Sequence, residues 1–284
     1  MAEAISVKSG WWQELTARVG AVLPRGLGPD AERQTIETAA GTAHYVAIGS
    51  GPPVIFLHGL DGSSRWWTPT LRLLAPHFRC FALDFIDFDR WRERSRVALP
   101  RASTFVAAWL EALELDHVHV IAHSMGGYAA CQLAIEHPQV VDRLVLVAPA
   151  ILGSRPPYIR EASRLGPLAW TVTPAFLPVL VGDSLRTGPL RWLRSATELR
   201  QATPLPLEKI DAPTLLIWGA RDPLVPVGQG PLVQRRIAEA QLLTLPGARH
   251  VPMYEQAAAC NEAIDRFLRG EEINQHGSHE PDKG

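Results

Sequence analysis

The string Ile-Ala-His-Ser-Met-Gly-Gly at 121–127 places a serine hydroxyl between a strand-like and a helix-like run. Ser124 is flanked at two residues' distance by Ala122 and Gly126, small side chains that suit the apex of a sharp strand-to-helix turn. A hydroxyl held there projects from the sheet edge and can attack a carbonyl. The rival reading of the string is a serine that caps the following helix. Because a serine hydroxyl is a weak nucleophile near neutral pH, the first reading requires an adjacent base. The chain has 10 histidines. His250, in LPGARHVPMYEQ, follows a late strand and opens the last helix, on the same carboxyl edge of a parallel sheet as Ser124. His123 adjoins the serine, but the turn is expected to direct its side chain away. His117 and His119 lie within the preceding strand, and His44, His77 and His137 lie in elements that do not converge on Ser124.

A histidine base needs a carboxylate to set its tautomer and to stabilise the imidazolium. Asp222, in WGARDPLVP, follows another strand and is the candidate; its rival reading is a turn aspartate before Pro223. The oxyanion of a tetrahedral intermediate needs donors. The candidates are the backbone N–H of Met125, directly after the serine, and that of Leu60 in FLHGLDGSSRWW, where His58 and Gly59 allow a close turn.

The elements that must position these groups alternate. Strand-like runs at 34–38, 42–48, 54–57, 79–84, 117–121, 144–148, 214–218 and 241–245 are interleaved with helix-like runs at 66–76, 102–115, 128–136 and 255–269. Such alternation predicts an α/β fold with a mostly parallel sheet covered by helices on both faces. Residues 34–150 and 208–270 form this core. Residues 151–207, with prolines, glycines and amphipathic stretches at 158–164 and 190–198, read as a small helical cap inserted between strands. Residues 1–33 read as an amphipathic helix (11–23) followed by a linker, and the polar segment 271–284 as a disordered tail.

An apolar share of 46% with 20% charged residues is that of a globular chain with a substantial core. The net charge of −1, with charges spread along the chain, argues against a nucleic-acid footprint or a polybasic membrane surface. Cys80, Cys131 and Cys260, odd in number and set in apolar runs, read as buried free thiols in a reducing, cytoplasmic compartment. No secretory signal and no apolar run of membrane-spanning length is visible. There is no P-loop, no HExxH and no dinucleotide-loop spacing, so neither cofactor nor metal is expected, and the expected partner is a small molecule.

Taken together, HGLDGSSRWW, HSMGG, WGARDPLVP and RHVPMYEQ resemble the α/β-hydrolase superfamily, in its branch of single-domain serine carboxylesterases and C–C-hydrolase-like enzymes. The resemblance spans roughly residues 34–269. It implies eight core strands with a cap after the sixth and the chain order Ser124, Asp222, His250 for the catalytic groups. Three departures stand out. Ala122 replaces the usual elbow glycine. DFIDFDRWRE replaces a loop that in relatives often reads Asp-x-Pro-Gly-His-Gly. Val251 stands where meta-cleavage C–C hydrolases tend to carry tryptophan. A serine nucleophile also speaks against the aspartate-using dehalogenases and epoxide hydrolases, and the tryptophan-containing elbow of proline iminopeptidases is missing. The expected activity is hydrolysis of carboxylic esters with small to medium, largely apolar acyl groups, through an acyl-enzyme. Trp66, Trp67, Trp170, Phe176, Trp192 and Met253 are the candidate pocket residues; the cap residues among them would serve equally to fasten its helices to the core. The same residues would serve a lactonase, thioesterase, C–C hydrolase or acyltransferase. A non-catalytic ligand-binding protein of this fold is disfavoured, because no part of the catalytic set is missing.

Overall fold

The computed structural model describes residues 27, 30–84, 98–152, 173–174 and 176–273, with the backbone alone at 189–191. The expected helix at 11–23, most of the acidic loop after 84, the stretch 158–164 and Trp170 lie outside the described residues.

In chain order the elements are β1 (Glu32–Thr38), β2 (Gly41–Ile48), β3 (Pro53–Leu57), α1 (Thr68–Leu74), β4 (Arg79–Asp84), α2 (Ala102–Ala112), β5 (Val118–His123), α3 (Met125–Glu136) and β6 (Val141–Val147). There follow α4 (Leu177–Thr187), α5 (Pro189–Gln201), β7 (Thr214–Gly219), α6 (Gly230–Gln234), β8 (Ala240–Leu245), α7 (Pro252–Glu255) and α8 (Ala257–Leu268). The eight strands form one sheet in the order β1-β2-β4-β3-β5-β6-β7-β8. β2 pairs antiparallel with both β1 and β4, and the remaining pairs are parallel. This is the α/β-hydrolase fold, with the helical insertion after the sixth strand.

The central strands are near-continuous apolar runs because both of their faces are covered. Along β3 the side chains alternate: Ile55 and Leu57 join Phe105, Trp109, Leu146 and Trp218 on one face, while Val54 and Phe56 join Leu71, Val145, Ile217, Ile264 and Phe267 on the other. The connection from β3 runs to β4 on one side, and that from β5 runs to β6 on the other. The crevice between the carboxyl ends of β3 and β5 is therefore the topological switch point, where open α/β sheets bind ligands.

Several boundaries differ from the sequence expectation. β1 begins two residues earlier, within the expected linker. The helix expected at 66–76 divides into a 3-10 turn at Ser64–Trp67 and α1, and that at 255–269 breaks at Gln256 into α7 and α8. The start of the expected disordered tail is docked: Ile273 N–H donates to Gln241 Oε1 at 2.8 Å. The cysteines are buried and free, as expected. Burial pushes the Cys80 and Cys260 thiols up to about 12 and the Cys131 thiol higher still, which suppresses thiolate chemistry. Among the described residues no helix is long and apolar enough to cross a membrane.

Phe267 is fully buried on α8, with the Arg143 guanidinium 5.4 Å from its ring centroid, near the amino end of β6 and far from the switch point. Phe267→Ala is expected to lower the unfolding free energy by about 3–5 kcal/mol while the folded variant keeps its turnover; urea unfolding paired with a steady-state assay checks both.

Candidate functional site

Ser124 follows β5 and takes φ 50°, ψ −114°, a backbone region that non-glycine residues avoid. Its N–H donates to Val147 O at 3.0 Å, and its carbonyl accepts from Ala150 and Gly127 N–H, each at 3.0 Å. The turn is held from a second side by α3: a Cβ on Gly126 would lie 2.5 Å from Leu57 O and 2.6 Å from His58 O. Glycine is thus required after the serine, whereas before it Ala122 fits, buried and paired with Leu57 and Leu146. Although Ser124 occupies the position before α3, its side chain makes no capping bond. The helix-cap reading fails, and the hydroxyl is directed elsewhere.

It donates to His250 Nε2 at 3.1 Å, and His250 Nδ1–H donates to Asp222 Oδ2 at 2.8 Å. The Asp222 carboxylate is acceptor-only, so it holds the proton on Nδ1 and leaves Nε2 to accept. Asp222 Oδ1 meanwhile accepts Leu224 N–H at 2.8 Å and Val225 N–H at 2.9 Å. The turn role and the histidine partnership are therefore both fulfilled, one by each oxygen. Ser124, His250 and Asp222 are each at most 8% exposed.

The loop carrying His250 crosses directly over the end of β7, where a Cβ on Gly219 would sit 2.0 Å from Arg249 O. Glu255 on α7 accepts the N–H groups of Arg249 and Val251, on either side of His250. His123 holds the same peptide from below: its Nε2–H donates to His250 O at 2.7 Å, with ring centroids 4.8 Å apart. The expectation that His123 turns away from the site is thus corrected in part. Its ring does not reach the serine hydroxyl, but the sheet edge folds it under His250.

Leu60, half-buried, follows Gly59, whose Cβ would stand 3.1 Å from Ser124 Cβ and 2.7 Å from His123 Nδ1. The loop after β3 therefore runs alongside the serine. Met125 opens α3, where a helix leaves N–H groups without intrahelical acceptors.

Of the expected pocket residues, Trp66 and Phe176 meet edge to face at 4.9 Å, and Trp66 also lies 5.4 Å from His123. Met253 is buried in the same apolar cluster. Trp67 is instead fully buried against Phe56 at 5.5 Å, a core residue, because the 3-10 turn directs successive side chains apart. Trp192 is 40% exposed on α5 and projects toward solvent. Sequence reasoning missed Asp183, Glu255 and the tether made by His123. Asp183 carried a signal: on α4 it follows Leu180 and Val179 at helical spacing, a carboxylate on an apolar stripe.

The alpha/beta hydrolase family model matches residues 54–263. Among curated relatives, the chain is 26% identical to a pimeloyl-[acyl-carrier protein] methyl ester esterase of Nitrosomonas europaea, over 78% of this chain and 98% of that one. It is 28% identical to a 2-hydroxy-6-oxo-6-phenylhexa-2,4-dienoate hydrolase of Burkholderia cepacia, over 79% and 90%. Among solved structures, a membrane phospholipase A described as a bacterial virulence factor superposes with a TM-score of 0.77 at 24% identity, covering 92% of each chain.

Burial lowers the affinity of two enclosed histidines for protons, taking His58 to about 4 and His123 well below its usual value, the latter helped by neighbouring His250. The unfolded chain binds these protons more tightly. As the pH falls from about 6.5 toward 4, stability is therefore lost, by up to about 1.4 kcal/mol per pH unit for each histidine. Asp61, Asp84, Asp183 and Glu255, all raised by burial, act in the opposite sense. Comparison with His58→Gln cancels them: the difference in unfolding free energy, unmodified minus variant, should fall across this window. A difference independent of pH would refute the assignment.

Proposed function

The chain belongs to the alpha/beta hydrolase family, and on that premise we propose that it is a serine hydrolase of carboxylic esters with small to medium, largely apolar acyl groups. The observation that carries the reading is the chain of hydrogen bonds from the Ser124 hydroxyl through His250 to Asp222, at 3.1 Å and 2.8 Å, on a serine held in a strained turn. In the proposed reaction Ser124 Oγ attacks the ester carbonyl as His250 Nε2 takes its proton, and Asp222 stabilises the resulting imidazolium. The N–H groups of Met125 and Leu60 receive the oxyanion. His250 then returns the proton to the departing alkoxide, leaving an acyl-serine. Water, deprotonated by His250, attacks this ester; the acyl–Oγ bond breaks, His250 returns the proton to Ser124 Oγ, and the carboxylic acid departs.

Trp66 and Phe176, packed together beside the His123–His250 pair, support an apolar acyl site. The relatives include one named for a methyl ester and one named for a C–C-cleaving hydrolase. Lactone, thioester, C–C and acyl-transfer chemistry would use the same residues. A panel of p-nitrophenyl esters of increasing acyl length, run beside lactones and thioesters, separates these. Turnover is expected to peak at short to medium acyl esters. Ser124→Ala should lower kcat by about 10³-fold or more with an unchanged circular-dichroism spectrum. Near-normal ester turnover by that folded variant would sink the mechanism.

A further inference from the structure

Asp183 on α4 is fully buried, and its three hydrogen-bond donors come from one short stretch of the loop after β3. The carboxylate accepts Ser63 Oγ–H at 2.7 Å and Trp66 Nε1–H at 2.9 Å, and pairs with the Arg65 guanidinium. Arg186, one turn along α4, adds a second guanidinium at 3.7 Å. The next residue, Ser184, donates its hydroxyl to Asp61. A single turn of the inserted helix thus grips Asp61, Ser63, Arg65 and Trp66. From the sheet side Asp84 accepts Ser64 N–H at 2.6 Å, and from α7, just after His250, Tyr254 Oη–H donates to Arg65 O at 2.9 Å. Asp61 itself is held at φ 63°, and Leu60 immediately precedes it.

A buried ion pair is a poor source of stability, since apolar packing of equal volume usually serves as well; its attested use is to fix one arrangement among several. Here the arrangement fixed is that of the loop bearing the Leu60 N–H beside Ser124. We propose that Asp183 and Ser184 are positioning residues that hold the Leu60 N–H toward the developing oxyanion. The cap helix is then part of the transition-state machinery as well as a cover. The proposal rests on the serine-hydrolase reading. Oxyanion donors gain their value from being held in place before charge develops, so a loosened loop loses transition-state binding before it loses substrate binding.

The test uses Asp183→Asn and Ser184→Ala in the full chain, with p-nitrophenyl acetate as substrate. Inhibition by an alkyl trifluoromethyl ketone, whose serine adduct carries an oxyanion, is compared with inhibition by the matching secondary alcohol, which forms no adduct. For Asp183→Asn, kcat should fall about 10- to 100-fold and trifluoromethyl ketone affinity by the same factor. KM and alcohol affinity should stay within about twofold. Ser184→Ala should move in the same direction by less, and it carries the test if Asp183→Asn does not fold. Unchanged kcat in the folded variants would overturn the proposal, as would equal losses for ketone, alcohol and KM, which signify a pocket that has merely loosened. If the unmodified chain neither hydrolyses esters nor binds the ketone, the serine-hydrolase reading has failed, and the positioning role falls with it.

Discussion

A serine at φ 50° is a residue out of place, at a cost of about 1–3 kcal/mol, and it persists because two strand ends close around it. β6 accepts its N–H through Val147, the chain just beyond β6 returns a bond from Ala150 to its carbonyl, and the carbonyls ending β3 press against Gly126. Relaxing the turn would break these contacts or drive α3 into the Leu57 carbonyl. The cooperative pairing of the central sheet thus stores a local strain whose product is a buried hydroxyl aimed at His250, and every other feature of the site is arranged around that atom.

Carboxylates do most of the arranging. Asp222 uses one oxygen to shape its own turn and the other to hold His250, so the orientation of the ring is tied to the backbone after β7. Glu255 and His123 clamp the peptide groups on each side of the same residue. Burial raises Glu255 and Asp183 and lowers His123. Each is stabilised by directed hydrogen bonds that would be lost if its partner moved. Position at this sheet edge is therefore enforced by polar geometry, where apolar contacts alone would tolerate sliding.

How much of this was readable in advance depended on whether the cause was local. The central strands announce themselves as apolar runs, and Ser124, Asp222 and His250 each sit just beyond one, so their convergence follows once the sheet is parallel. The split of the helix at Ser64–Trp67 was not readable, because it depends on the loop wrapping around a carboxylate from a helix more than 100 residues later. For the same reason Trp66 and Trp67, adjacent and alike in sequence, could not be told apart: one faces His123 and the other Phe56. Asp183 stood on an apolar stripe, but its partners, Ser63, Arg65 and Trp66, are fixed by tertiary contact alone. The exposure of Trp192 likewise follows from how α5 is seated, which no local pattern encodes.

Trp66 combines two duties that are usually separable. Its ring forms an apolar wall against Phe176, while its indole N–H helps anchor α4 through Asp183. Trimming this side chain would thin that wall and also remove a fastening of α4, so the two duties cannot be varied independently at this position. Phe176 has no polar atom in its side chain and meets Trp66 and Tyr254 only through its ring. Substitution there changes the wall without removing a polar fastening, leaving the indole as its fixed corner.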